Sequence, residues 1–413
     1  MNRRRFLACL GAGGALSACE WWPREGLWNP CPRDPLPARL ANHELVQAAW
    51  EGVEPARVWD CHVHLLGTGQ GGTGAWINPD MQSLRHPVQF TVRKFLLNAV
   101  CTETAEDLDA AYWRRLEALQ SALPAGARAM LLAFDLYHDG NGRPDRARSA
   151  LYVPNRYALA LARRRPERFE WIASIHPYRK DAVACLRWCA ARGARAVKWL
   201  PQAMGIDPAS PRCDAFYAAL QALDLPLLTH AGGELAVHGA GAQHLGNPLR
   251  LRRPLDHGVR VIVAHCATFG RGRDLDRGPQ GPERPNFELF ARLMAESRYE
   301  GRLWGDISSI AQVNRVGQGL DRILRRREWH PRLLNGSDYP LPGVLPVVSL
   351  GQLVARDLLP AAEARVLAEI RPYNPLLFDF VLKRRLRSAG RGFGPEVFHT
   401  RRHFRRSVKS VIK

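Results

Sequence analysis

Val58-Trp59-Asp60-Cys61-His62-Val63-His64 decides how this chain is read. A short apolar run ends in two histidines spaced i, i+2, so a β-strand would present both from one face. If that strand stops at the C-terminal rim of a parallel barrel, both imidazoles aim at one spot. A lone His-x-His is equally at home on an ordinary strand. The reading therefore turns on whether other strand ends supply further metal-ligating groups.

They do, at regular intervals. Apolar runs at 57–64, 129–135, 169–175, 194–200, 225–230, 259–265, 303–308 and 332–338 read as eight strands separated by helical segments. Gly193 suits a helix end, while Ser210-Pro211 and Asn247-Pro248 suit helix starts. Strands apolar throughout indicate a parallel sheet covered on both faces, and eight is the number of a (β/α)8 TIM barrel. An open doubly wound sheet is the alternative architecture. The strand ends carry His62 and His64, Lys198, His230, His265 and Asp338, so each would reach the same rim.

Composition bounds the rest. The chain has 413 residues, 46% of them apolar and 24% charged, enough for one large barrel with additions. Its net charge is +20, and residues 383–413 hold eleven Lys/Arg against Glu396 alone. No internal run reaches the ~18 apolar residues of a membrane span. Nine cysteines include seven beyond Cys19, at 31, 61, 101, 185, 189, 213 and 266. That odd number argues against a complete disulfide framework, and they read as small buried apolar groups, with Cys61 and Cys266 pointing away from the barrel axis.

Asn2-Arg3-Arg4-Arg5-Phe6-Leu7 resembles a twin-arginine export signal, and Leu16-Ser17-Ala18-Cys19 resembles a lipobox with Cys19 as the lipidated residue. The expected organisation is a signal peptide at 1–18, a Pro- and Trp-containing lead-in tether at 19–55, the barrel at 56–382 and a basic tail at 383–413. This implies an exported, periplasmic or cell-surface lipoprotein. The tail is a second candidate for membrane contact, through anionic headgroups. Nucleic acid is not an expected partner. The Gly67–Gly74 loop lacks both phosphate-binding registers and reads as a mobile active-site loop; 268–285 reads as a lid or a solvated excursion.

Asp60-x-His62-x-His64, His230, His265 and Gly336-Ser337-Asp338 together resemble the amidohydrolase superfamily. The similarity is to the branch that includes 2-amino-3-carboxymuconate-semialdehyde decarboxylase-like proteins. Asn155-x-Tyr157, Pro166-x-Arg168-Phe169 and Asn374-Pro375 add softer support. The resemblance implies a (β/α)8 barrel with a divalent metal, usually one Zn2+, bound by His62, His64, His230 and Asp338. In it His265 either joins the ligands or holds the polarised oxygen, Asp338 moves the proton, and Lys198 either contacts a small-molecule substrate unmodified, as expected here, or is carboxylated to bridge two metals. Asp60 is expected deeper in the barrel as support for the ligands. Tyr137, His138, His176, His238, His244 and Tyr339 are candidates for substrate contact. The expected activity is hydrolysis of an amide, ester or lactone by zinc-activated water. The alternatives are a decarboxylase or hydratase on the same site, and a metal-retaining binding lipoprotein.

Overall fold

The computed structural model describes residues 26–32, 34–237 and 241–405. The signal peptide, the lipobox Cys19 and His238 lie outside the described residues. No helix among those described is long and apolar enough to cross a membrane.

All eight expected strands form, and they are parallel: β1 (Trp59–His64), β2 (Arg128–Leu132), β3 (Phe169–Ile172), β4 (Val197–Trp199), β5 (Leu227–His230), β6 (Val261–Ala264), β7 (Leu303–Asp306) and β8 (Leu333–Leu334). They divide into a sheet β1-β2-β3 and a sheet β8-β7-β6-β5-β4. Single parallel bridges join the edges, Ala173 to Val197 and Val63 to Tyr339. The ring of ladders expected from sequence is thus not closed. At one seam the Ser174 N–H leaves the strand to donate to Asn155 Oδ1. At the other, β8 spans two residues before the chain turns through Asp338 at φ +63°.

Alternation along the strands builds two apolar layers. An inner cluster joins Trp59, Cys61, Met130, Leu132, Ile172, Ala196, Leu228, Ile262, Leu334 and Phe404. The opposite strand faces pack under the surrounding helices, among them α1 (Pro87–Ala99), α2 (Leu108–Ser121), α3 (Asn155–Arg164), α4 (Ala182–Ala191), α5 (Asp214–Ala222), α6 (Asn286–Ala295), α7 (Gln318–Arg325) and α8 (Pro375–Arg385). The softer motif residues are structural: Asn155 pins Ser174, and Asn374 caps α8 through the Leu376 and Leu377 N–H groups.

The pairing of β1 with β2 slips between Asp60 and Val63. This bulge places an extra residue in the strand, so Asp60 and His62, two apart across it, no longer share a face. Cys61 consequently joins the inner cluster, contrary to expectation, while Cys266 packs outward against the helices. Asp60 lies opposite Ala129, on the outer face near Lys383 of α8, rather than deeper in the barrel.

Three further expectations change. Cys31 and Cys101 form a disulfide that ties the lead-in to the end of α1. These two are therefore not free apolar groups, while Cys61, Cys185, Cys189, Cys213 and Cys266 are free. Residues 383–405 are folded rather than a frayed tail. Lys383 is enclosed in α8, Thr400 exchanges hydrogen bonds with the Trp59 backbone, and Phe404 is fully buried beneath β1. The basic run is held because its apolar members, Val397, Phe398 and Phe404, have core to enter.

The loops at the rim are also pinned. Asp109 accepts from the Thr68 and Gly69 N–H groups and from the Thr68 and Thr73 hydroxyls, so the glycine-rich loop is stapled to α2. Residues 271–273 and 283–285 pair as an antiparallel hairpin, and Arg292 of α6 grips its buried Asp274.

Candidate metal centre

His62, His265 and Asp338 come together at the C-terminal ends of β1, β6 and β8. One potential ligand atom from each lies within 4.8 Å of the others. His62 Nε2 is 3.4 Å from Asp338 Oδ1, His64 Nε2 is 3.2 Å from the same oxygen, and His265 Nε2 is 3.8 Å from Oδ2. Gly336 makes this approach possible, because a Cβ there would come within 2.7 Å of the His62 Cβ. Asp60 Oδ1 accepts from both the His62 and Ser337 N–H groups, holding β1 against the turn that carries Asp338. Burial pushes the Asp60 carboxyl up to about 6, against these hydrogen bonds.

The partners on the far side of each ring assign the tautomers. His62 Nδ1 faces Asp306 Oδ2 at 2.9 Å, and His265 Nδ1 faces the Ser308 carbonyl at 2.9 Å. Both acceptors require the proton on Nδ1, which leaves a lone pair on each Nε2. Burial would raise the Asp338 and Asp306 carboxyls, but His62 and His265 hold both well below the usual range. Burial depresses His62, reinforced by Lys198, and brings His265 down to about 3. Two neutral imidazoles and an ionised carboxylate therefore converge with acceptors facing one another. That donor set fits a divalent cation, and the buried acceptors behind the rings are the supporting pattern such sites use.

The remaining expected residues fall into place unequally. The fully buried Lys198 puts Nζ 3.0 Å from His62 Nε2, and burial lowers its pKa against the pull of Asp306, Asp338 and Glu234. His230 packs its ring 5.2 Å from that of His265. Its nitrogens, however, face Gly233 O at 3.2 Å and Glu234 Oε2 at 3.5 Å rather than Asp338.

His138 and His176 pack at 4.6 Å with their rings tilted by 43°, but His138 Nδ1 is engaged by the Leu136 carbonyl and the His176 nitrogens by the Met204 carbonyl and the Tyr178 N–H. Tyr137 lies under Arg148 and against Gly205, Tyr339 is buried against Tyr112 in the outer core, and His244 lies in the short 243–246 turn. The side chains of Tyr137, His138, His176 and Tyr339 make no hydrogen bond to the cluster among the described residues, although the Tyr339 carbonyl accepts from the His64 N–H at 2.9 Å.

Asp306, Ser308, Ser309, Gln312, Glu234 and Arg315 were not singled out from sequence. The stretch Gly305-Asp306-Ile307-Ser308-Ser309 carried a signal, since a carboxylate and two hydroxyls close an apolar strand. Ser309 Oγ donates to Asp338 Oδ2 at 2.6 Å and receives Gln312 Nε2 at 2.6 Å. The Ser308 hydroxyl donates to Asp306.

A model of the amidohydrolase family matches residues 59–375. The chain belongs to that family. It is accordingly a metal-dependent enzyme acting on small molecules. No curated protein matches this amidohydrolase. Among solved structures it is similar to an uncharacterized TIM-barrel protein from Bordetella bronchiseptica, at 14% identity over 76% of this chain and 99% of that one, with a TM-score of 0.47. It is also similar to a candidate 2-pyrone-4,6-dicarboxylic acid hydrolase from Pseudomonas putida, at 17% identity over 68% and 82%, with a TM-score of 0.41. A third is a 5-carboxyvanillate decarboxylase from Novosphingobium aromaticivorans complexed with manganese, at 14% identity over 76% and 92%, with a TM-score of 0.41.

Proposed function

We propose that this amidohydrolase hydrolyses an amide, ester or lactone with one divalent cation, zinc in our reading. His62, His64 and Asp338 hold it, His265 adds its Nε2 lone pair, and His230 joins only by giving up its contacts with the Gly233 carbonyl and Glu234. The observation that carries the reading is the convergence of the His62 and His265 lone pairs on the ionised Asp338. A cation held there supplies Lewis acidity and lowers the pKa of a bound water toward ~7.

The chain's own groups then divide the work. Asp338 Oδ2 takes the proton of the attacking water and returns it to the leaving group, while the Ser309 hydroxyl fixes that oxygen at 2.6 Å. His265, its Nδ1 proton held by the Ser308 carbonyl, keeps its Nε2 lone pair turned toward Asp338, where a cation would sit. Lys198 places positive charge beside His62.

Metal analysis followed by a substrate screen tests this. One ion per chain is expected, lost in His62→Ala with His64→Ala, together with acid release from esters, lactones or amides. Carbon dioxide release from aromatic carboxylic acids, without hydrolysis, would move the assignment to the lyase reading. Full metal retention in the double variant would sink the ligand assignment.

We propose also that the chain is exported through its paired arginines and anchored at a lipidated Cys19. The Cys31–Cys101 disulfide supports an oxidising compartment. Cys19→Ser should abolish fatty-acid labelling and release the protein from membranes; equal membrane association would refute the anchor.

A further inference from the structure

Arg315, in the segment between β7 and α7, is 8% exposed, and its Nε and Nη1 are enclosed without a hydrogen bond among the described residues. A buried guanidinium left in that state is costly unless a partner arrives.

Two short chains of contact place it beside the metal cluster. Along one, which fixes its backbone, Ser309 holds Asp338 Oδ2, Gln312 holds Ser309, and the Arg315 main-chain N–H donates to the Gln312 carbonyl at 2.7 Å. Along the other, Gly233 accepts from His230 and lies so close to Phe269 that a Cβ would stand 2.8 Å from its ring. The Arg315 Cζ is 5.8 Å from that same ring. Its charge reaches the cluster as well. Beyond the effect of burial, Arg315 helps to depress both His230 and His265, while Glu234, Asp338 and Asp306 act to keep Arg315 itself charged.

The neighbouring ionic groups are already committed. Glu234 Oε1 accepts from the Ala236 and Val237 N–H groups, and its Oε2 faces His230. Lys198, the cation expected from sequence to meet the substrate, is directed at His62. Among these ionic groups, the unpaired donors are those of Arg315.

We propose that Arg315 is a substrate-anchoring residue whose guanidinium receives a carboxylate carried by the substrate, next to the bond that is cleaved. The substrate class is then an ester, lactone or amide bearing a separate carboxylate, a refinement that rests on the hydrolase reading of the same site. A planar guanidinium favours carboxylate over neutral groups of equal shape, through charge-assisted hydrogen bonds.

Calorimetric titration with benzoate and benzamide, on holoenzyme and on chelator-stripped protein, tests the anchor apart from turnover. Wild type should bind benzoate at least ~10-fold more tightly than benzamide in both forms. Arg315→Met should erase that preference, and Arg315→Lys should reduce it at least ~3-fold, with holo metal content unchanged. Undiminished preference in Arg315→Met, or no preference in wild type, overturns the anchor. If Arg315→Met fails to fold by circular dichroism, Arg315→Lys decides, and an unreduced preference there overturns it. A wild-type chain that binds no divalent ion refutes the hydrolase reading separately, whatever the benzoate result.

Discussion

Asp306 stands directly behind His62, its Oδ2 receiving the Nδ1 proton at 2.9 Å. Its other oxygen accepts the backbone N–H groups of His265 at 3.0 Å and Ser308 at 2.9 Å. One carboxylate at the end of β7 thus fixes the ring carried by β1 and the turn that carries the ring after β6. Asp306→Asn keeps the shape but removes the charge. Metal affinity should fall about 10–100-fold, measured by chelator competition, with the helical signal retained. Unchanged affinity would show that Asp306 does not orient the ligands.

Phe404 is fully buried in the inner cluster with Trp59 and Leu334. Phe404→Ala should cost about 3–5 kcal/mol of stability, read from urea unfolding. A loss under about 1 kcal/mol, well below that range, would mean the site tolerates the void or that the terminal segment does not pack there.

His176 tests the sign of a buried imidazole. Burial brings it down to about 3 from the usual imidazole value of about 6.5. Between those values the unfolded chain binds a proton that the folded chain refuses, so stability falls as pH falls through this window. His176 contributes fully above about 6.5. His176→Asn, which can still donate to the Met204 carbonyl, should flatten the fall in urea midpoint between pH 6.5 and 4. An unchanged slope would assign the acid sensitivity to other groups.

The Cys31–Cys101 bridge spans 70 residues of sequence. Replacing both by Ser should cost about 2–4 kcal/mol, and non-reducing peptide mapping of the native protein should recover the linked pair. Free thiols at both positions would contradict the bridge.

The strand positions and His62, His265 and Asp338 were legible because apolar runs ending in ligand-type residues report both the sheet and its rim. The bulge at Cys61 was not legible. Nothing in Asp60-Cys61-His62 announces an extra residue, and one added position reverses the faces assigned to Asp60 and Cys61. The disulfide escaped because pairing depends on the path of the lead-in, which composition does not report. Residues 383–405 misled in another way: charge counting outweighed Val397, Phe398 and Phe404, whose burial only the tertiary structure reveals. Arg315 lacked any motif, and its significance comes from its missing partners rather than from its neighbours in sequence.

The pairing of Thr400 with Trp59 joins positions 341 residues apart. The histidine-bearing strand therefore borrows its floor from chain that the ribosome makes far later. Until residue 404 is available, β1 lacks the ring that fills the space below it. Local helices can form while synthesis proceeds, but this non-local closure comes after nearly all of the polypeptide exists. Closing β1 onto Phe404 is therefore among the last contacts that synthesis allows.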